Sequence, residues 1–278
     1  MTATPTTATP IRHPAVAGRF YPRDPNVLRE KVQTFLSQTP ERVLARALGC
    51  VVPHAGYMYS GHVAGAVFAA LEIPQLCIVL CPNHTGMGHA LAIVSEGAWE
   101  TPLGNVSIDS AFGAALKQRC PALQEDSTAH RSEHAAEVEL PFLQTLQPQL
   151  KFVPIAVGTG KFEILEQLGN AIAEVIAAYN GHVMIVASSD MNHYESDAIT
   201  RVKDNSAIEP ILRLDARALY DVVAEQRISM CGLGPAVAML TAVKKLGASS
   251  AQLIKYATSG DVSGDRDLVV GYAGIVVR

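Results

Sequence analysis

The chain has 278 residues, 49% of them hydrophobic and 17% charged, with a formal net charge of −4. That composition builds a well-filled core and excludes a disordered chain. No basic excess is present to neutralise phosphates, which excludes nucleic acid as the default partner. A polybasic anchor and an apolar run approaching the roughly 20 residues of a membrane span are both missing.

The first ten residues are Thr, Ala and Pro without a charged start or an apolar stretch, and read as a flexible tail rather than a signal peptide. Asp24-Pro25 supplies an N-cap and a Pro at the first helical position, which opens a helix to about Ser37. A strand at Ala47 to Val52 leads into Pro53-His54-Ala55-Gly56-Tyr57, followed by a small-residue helix over Gly61 to Leu71. A second strand, Leu76 to Cys81, leads into Pro82-Asn83-His84-Thr85-Gly86. Ala90 to Ser95 and Asn105 to Ile108 predict short strands around a turn region at Trp99 to Gly104.

Helices are expected at Ser110 to Arg119 and at His134 to Leu146, the latter bent or re-started at Pro141. A strand at Lys151 to Val157 precedes a long helix, Lys161 to Tyr179, whose apolar residues recur at helical spacing. The strand His182 to Ala187 ends in Ser188-Ser189-Asp190-Met191-Asn192-His193. Helices follow at Asp197 to Leu212, at Asp215 to Glu225 and from Cys231-Gly232-Leu233-Gly234-Pro235 to near Gly247, then strands at Ala251 to Ala257 and Leu268 to Val277. Strand–helix alternation of this kind predicts an α/β fold, a largely parallel or mixed sheet with helices on both faces. No linker or repeat divides residues 11–278, so a single domain is expected.

Three of these strands deliver a histidine into the loop beyond their carboxyl ends, where open α/β sheets gather their chemistry. His54 and His84 sit among small residues that leave room for a ligand or an ion, and neutral imidazoles there can ligate a borderline metal. Each can equally be a histidine capping the next helix. Asp190 and His193 share a loop, where a carboxylate can orient an imidazole for acid–base work; the plainer alternative is an Asp N-cap beside a surface His. Cys231 precedes a helix whose positive end favours thiolate, as a nucleophile or metal ligand, or it is a small buried hydrophobe. His134 and Glu137 lie at i, i+3 and share one helix face. Tyr57 lies close to the His54 loop and can line it. Thr258 to Asp265 is a polar, Gly-rich loop with two Asp residues, a poor match for phosphate. The five cysteines are odd in number and contain no CxxC. Cys77 and Cys81 lie about 13 Å apart on one strand at ~3.3 Å per residue. A reducing, cytoplasmic setting without a disulfide framework is expected.

Taken together, the chain resembles the Memo-like family, whose bacterial and archaeal members are called AmmeMemoRadiSam system protein B. The resemblance is carried by His13-Pro14-Ala15-Val16-Ala17-Gly18-Arg19-Phe20-Tyr21, Pro53-His54-Ala55-Gly56-Tyr57, Pro82-Asn83-His84, Glu133 to Phe142, Ser188 to His193, Cys231-Gly232 and Tyr256 to Asp261. These segments stand in the family's order over nearly the whole chain. The family is structurally similar to class III extradiol dioxygenases, enzymes that open catechol-type rings with non-haem iron.

The resemblance implies a three-layer sandwich, with a central mixed, largely parallel sheet flanked by helices as in the extradiol dioxygenase B subunit. It implies metal ligands at His54, His84 and Cys231, and a catalytic His193 with Asp190 in the same site. Phe20, Tyr57, His134 and Glu137 are expected to line the pocket. Two departures stand out. The dioxygenases complete a two-His, one-carboxylate triad, whereas the third matched position here is Cys231, and thiolate shifts preference toward Cu(I) or Zn(II). Eukaryotic members carry Trp where this chain has Phe20.

Two readings of function follow. The first is an iron-dependent, dioxygenase-like redox enzyme, with Fe(II) favoured over Cu(I) or Zn(II). The second is a non-catalytic binding or scaffold protein, or a copper- or iron-handling protein, that keeps a vestigial site. The family name implies AMMECR1-like and radical SAM proteins as partners. A small-molecule or peptide ligand, no nucleic acid, no membrane and a homo-oligomer complete the expectations.

Overall fold

A computed structural model describes residues 10–38 and 45–278. In chain order the elements are β1 (Ile11–Arg12), α1 (Pro25–Ser37), β2 (Gly49–Val52), α2 (Tyr57–Ala69), β3 (Leu76–Pro82), β4 (Leu91–Ile93), β5 (Ala98–Thr101), β6 (Gly104–Ile108), α3 (Ser110–Arg119), β7 (Gln124–Glu125) and α4 (Thr128–Arg131). A 3-10 turn at Glu137–Glu139 runs into α5 (Leu140–Leu146). Then come β8 (Lys151–Val157), α6 (Phe162–Ala178), β9 (Val183–Ser188), β10 (His193–Glu195), α7 (Asp197–Leu212), α8 (Ala216–Glu225), α9 (Leu233–Lys245), β11 (Ala251–Thr258), α10 (Gly260–Ser263) and β12 (Val269–Val277).

The main sheet path is β1-β5-β6-β8-β3-β9-β2-β12-β10. Its middle, from β6 through β8, β3 and β9 to β2, is parallel throughout. The β2–β12, β10–β12 and β5–β6 pairs are antiparallel, and β11 adds to β12. The sheet is therefore mixed and largely parallel at its core, as expected.

Every residue of β2, β3 and β9 is buried. Parallel strands covered on both faces read as continuous apolar runs, which these are. Because successive side chains alternate, each strand feeds two cores. Leu76, Ile78 and Leu80 join Val183 and Ile185 on one face, packed with α6 and α9 through Leu165, Leu168, Ile172, Val237 and Leu240. Cys77, Val79 and Cys81 join Met184 and Val186 on the other, under α1, α2 and α5 through Leu28, Val32, Phe35, Phe68 and Phe142. Full burial of such a side chain stabilises by about 1.5–3 kcal/mol. Helix, sheet and helix thus form three layers.

Local signals behave as elementary chemistry dictates. Asp24 accepts hydrogen bonds from the Asn26 and Val27 N–H groups and Pro25 starts α1, and Asp215 caps α8 through Ala218 N–H. Four expectations need correction. Trp99 and Glu100 belong to strand β5, and only the two residues between β5 and β6 turn. Helix α2 begins four residues early, at Tyr57. The 134–146 segment is helical only from Glu137, and α5 carries Pro141 in its first turn. Of the expected tail, residues 1–9 lie outside the described residues, while the Pro10 carbonyl accepts from Ala98 N–H at 2.9 Å.

All five cysteines are free. Among the described residues no helix is long and apolar enough to cross a membrane. In the polar 258–265 segment Asp261 is paired with Arg201 and Arg266, and its carboxylate accepts from Thr258 N–H.

Candidate metal centre

Strands β3, β9 and β2 are parallel neighbours, so their carboxyl ends open on the same edge of the sheet. His54 follows β2, His84 follows β3, and Asp190 to His193 follow β9. Cys231 arrives just ahead of α9. The approach is close: a Cβ on Gly232 would collide with Ser189, whose hydroxyl accepts the Gly232 N–H at 3.0 Å. Only a residue without a side chain lets this turn reach the β9 loop.

Ligand atoms of His54, His84 and Cys231 all lie within 4.8 Å of one another. Cys231 Sγ is 3.2 Å from His54 Nε2. His54 is fully enclosed; burial, with the charge of His84, lowers its pKa to about 3, so the ring is neutral. Its Nδ1 lies 2.8 Å from Ser188 Oγ. The single Ser188 proton is drawn toward the Ala135 carbonyl and Glu139 Oε1, at 2.8 and 2.9 Å. Nδ1–H is therefore the donor to Ser188, and Nε2 keeps a lone pair toward Cys231. Glu139 is itself buried, and that burial pushes its carboxyl well up toward the neutral form.

His84 is oriented by Glu133, a carboxylate with no exposed surface. Glu133 Oε1 accepts from His84 Nδ1 at 2.9 Å and from the His134 and Ala135 N–H groups at 2.8 and 2.9 Å. Its Oε2 accepts from His84 N–H at 2.6 Å. Burial alone would raise this carboxyl; the bond and charge of His84, the Ala135 N–H and the charge of His134 outweigh it and hold the pKa down to about 2. An ionised carboxylate only accepts, so His84 Nδ1 carries the proton and Nε2 is free to ligate. Carboxylate–histidine pairs of this kind commonly stand behind a metal ligand. Glu133, His84 and His134 also cluster closely enough to hold an ion. Four N–H bonds already occupy Glu133, so the His54, His84 and Cys231 set is the better donor group.

His134 completes the wall. Its ring stacks on His84 with centroids 4.7 Å apart and packs against Phe20 at 4.6 Å. Burial, then the His54 charge, lower its pKa to about 4, so it too is neutral. Asp190 Oδ1 accepts from His54 N–H at 2.8 Å, fixing the loop that carries the first ligand. Burial raises its carboxyl against the pull of the His54 N–H and of His193 and His134.

Several expectations change here. Asp190 does not orient His193 by a side-chain bond: His193 Nδ1 meets the Ser229 carbonyl at 2.9 Å, and His193 N–H donates to Ser229 Oγ at 2.7 Å. The carbonyl only accepts, so Nδ1 carries the proton of the neutral ring and Nε2 is the basic nitrogen. His193 lies near enough to His54 and Asp190 for their charges to act on one another. Cys231 stands ahead of α9, yet burial and the Asp190 charge push its thiol up.

Glu137 and His134 share no face. Glu137 is buried on the N-terminal segment, accepting from Arg12, Ala15 N–H, Val16 N–H and Tyr21. Tyr57 is core rather than pocket wall: its hydroxyl donates to the Val138 carbonyl and its ring packs on Tyr21, Phe35 and Phe142. Phe20 and His134 do line a cavity beside the site. Glu133, Ser188 and Ser229 were missed. The signal for Glu133 was a buried acidic pattern, Glu133, Glu137 and Glu139, inside an apolar segment.

Comparison with known proteins places the chain. The model of the family described as Memo-like protein matches residues 12–276. A MEMO1 family protein of Methanopyrus kandleri is 42% identical over 96% of this chain and 99% of its own length. One from Methanosarcina mazei is 43% identical over 96% and 99%. In structure, an uncharacterized protein from Escherichia coli K12 shares the fold, with a TM-score of 0.50 at 14% identity, covering 83% of this chain and 100% of that one. With matching segments from its first described strand to its last, the chain belongs to the Memo-like protein family.

Proposed function

We propose that this protein binds a transition-metal ion through His54 Nε2, His84 Nε2 and Cys231 Sγ and uses it in redox chemistry on a small molecule. The observation that carries the reading is convergence. Two imidazoles and a thiol from three separate loops meet within 4.8 Å, each imidazole with its other nitrogen already committed. The donor set fits an ion: bonds of about 2.0–2.3 Å in a tetrahedral arrangement put ligand atoms about 3.3–3.7 Å apart, close to the 3.2 Å between Cys231 Sγ and His54 Nε2. Fe(II) is the favoured occupant by family resemblance, and such an ion supplies a Lewis-acidic, redox-active centre. Around it, Glu133 and Ser188 fix the ligand rings, Asp190 fixes the His54 loop, and His193 Nε2 accepts or returns a proton of the bound molecule.

A second reading has its own observation. Cys231 stands where a carboxylate would complete the iron triad, and a thiolate favours Cu(I) or Zn(II). Under it the protein carries or senses a metal, with AMMECR1-like or radical SAM proteins as partners.

Anaerobic titration with Fe(II), Cu(I) and Zn(II), followed by thermal stability, tests the site, since a ligand bound only by the folded state raises its stability by mass action. One ion per chain is expected, with affinity lost at least tenfold in His54→Ala and in Cys231→Ser. Unchanged stoichiometry and affinity in both variants overturns the assignment. Oxygen uptake with a panel of dihydroxyarenes favours the enzyme; no uptake, together with copurification of either partner, favours the second reading.

A further inference from the structure

Beside the metal centre lies a cavity of about 740 Å³, walled by the N-terminal segment, β5 and the residues around α4. That volume falls within the ~300–1,000 Å³ typical of small-molecule sites. Part of the wall is apolar and aromatic, with Val16, Ile108, Phe20 and Trp99, and His134 borders it on the metal side. The charged groups of the wall are unequally committed. Arg12 is spent: it bonds the His130 and Glu133 carbonyls and Glu137, and lies 4.1 Å over the Trp99 ring. His13 is paired with Glu100. Arg19 and Arg131 line the cavity with guanidinium groups that have no hydrogen-bond or ion-pair partner among the described residues, against a single wall carboxylate, Glu96.

Two polar atoms behind the same wall are unsatisfied and sealed from the cavity surface. Trp99 and His130, each 1% exposed, belong to this wall, and Trp99 Nε1 and His130 Nδ1 have no partner among the described residues. His130 Nε2 lies 3.2 Å from the Ala92 carbonyl and donates to it, so Nδ1 is an acceptor, while Trp99 Nε1 is a donor. Buried polar groups left unpaired are uncommon and costly.

We infer that this cavity binds a small organic acid, an apolar body bearing one carboxylate, with the carboxylate held by Arg19 and Arg131. Guanidinium forks match a carboxylate in two parallel hydrogen bonds. Two free cations against one carboxylate leave a single positive charge to neutralise, which selects a monoanion over a dianionic phosphate ester. Binding at this address does not depend on the metal. That the acid is the substrate rests on the metal-site reading above, because His134 separates it from His84 by one stacked ring.

Trp99 is the only tryptophan in the chain and serves as the reporter. The full chain is titrated with 3-phenylpropanoate, its neutral amide, hexanoate and phenyl phosphate while tryptophan emission is followed. A saturable change with at least one carboxylate is expected, with the amide at least tenfold weaker than 3-phenylpropanoate. The Arg19→Met/Arg131→Met double variant, altered only at exposed positions, loses at least tenfold, and Cys231→Ser keeps the wild-type acid affinity. No saturable response below about 10 mM, well beyond the millimolar scale of weak ligands, overturns the proposal, as does equal binding of the amide or an unaffected double variant. Tighter binding of phenyl phosphate overturns the carboxylate assignment. Metal binding without acid binding sinks this inference alone, and acid binding without metal binding sinks the metal-site reading alone.

Discussion

Glu133→Gln is the most informative single change, because it is isosteric and alters only what the side chain accepts. The carboxylate is wholly buried and takes four N–H bonds: three on Oε1, from His84 Nδ1, His134 N and Ala135 N, and one on Oε2, from His84 N. A glutamine oxygen placed at Oε1 preserves three and sets its NH2 against the His84 N–H. The His84 N–H and the incoming amide N–H then face each other as donors without an acceptor, each unmet donor costing about 1–3 kcal/mol, and three charge-assisted bonds become neutral ones. The expected destabilisation is about 4 kcal/mol or more, a large share of the ~5–15 kcal/mol that keeps a domain folded.

The same change frees the His84 ring to turn, and loss of such a supporting partner costs about 10–100-fold in metal affinity. Glu137→Gln is the control, since Glu137 is equally buried and equally bonded but touches only the N-terminal segment. Urea unfolding gives both stability losses, and chelator competition gives both affinities. Glu137→Gln should lose stability and keep its affinity. If Glu133→Gln binds metal as tightly as Glu137→Gln, Glu133 does not orient His84 and the reasoning fails.

Asp204 predicts a pH dependence of opposite sign to ordinary acid denaturation. Burial raises its pKa from 3.8 to about 6, against the bonds from Tyr256 and Asn192 N–H. Its raised folded-state pKa adds stability that is complete below about pH 4 and is lost as pH rises through about 6, a fall of about 3 kcal/mol. Stability measured across pH 4 to 7.5 should therefore fall for the wild type relative to Asp204→Asn; a constant difference between the two refutes the burial argument. Gly271→Ala should destabilise by about 3 kcal/mol or more, at or beyond the usual cost of overpacking, because its Cβ would collide with Asp204 Oδ2, which is already held by Tyr256. Thermal unfolding of that variant alongside the double variant Gly271→Ala/Asp204→Ala checks the cause: the second change should recover part of the loss, and no recovery refutes the clash. Because Asp204 holds Asn192, and Asn192 Oδ1 accepts from the Ser229 N–H and hydroxyl, Asn192→Ala should release the Ser229 clamp on His193 and shift the His193 ring resonances; unchanged resonances would show that Ser229 holds the ring unaided.

What sequence alone determined was local and periodic. Continuous apolar runs at β3 and β9 announced buried parallel strands, Asp24-Pro25 fixed the start of α1, and the residues after each run marked where histidines leave the sheet. Those signals depend on backbone dihedrals and on side-chain alternation within a few residues, so they survive in one dimension. The Memo-like resemblance likewise named His54, His84 and Cys231 before any geometry. Partner choice was a different matter. Glu133 reaches His84 across 49 residues, Ser188 reaches His54 across 134, and Glu137 reaches Arg12 across 125. Glu137 and His134, neighbours on a predicted helix face, parted because the segment turns as a 3-10 helix only from Glu137. Asp190 and His193 share a loop, yet Asp190 bonds the His54 backbone while Ser229 takes the ring. Such pairings are settled by which buried donors need an acceptor once the layers have packed. Desolvation makes every unmet bond costly, and only the assembled tertiary structure decides which groups are within reach.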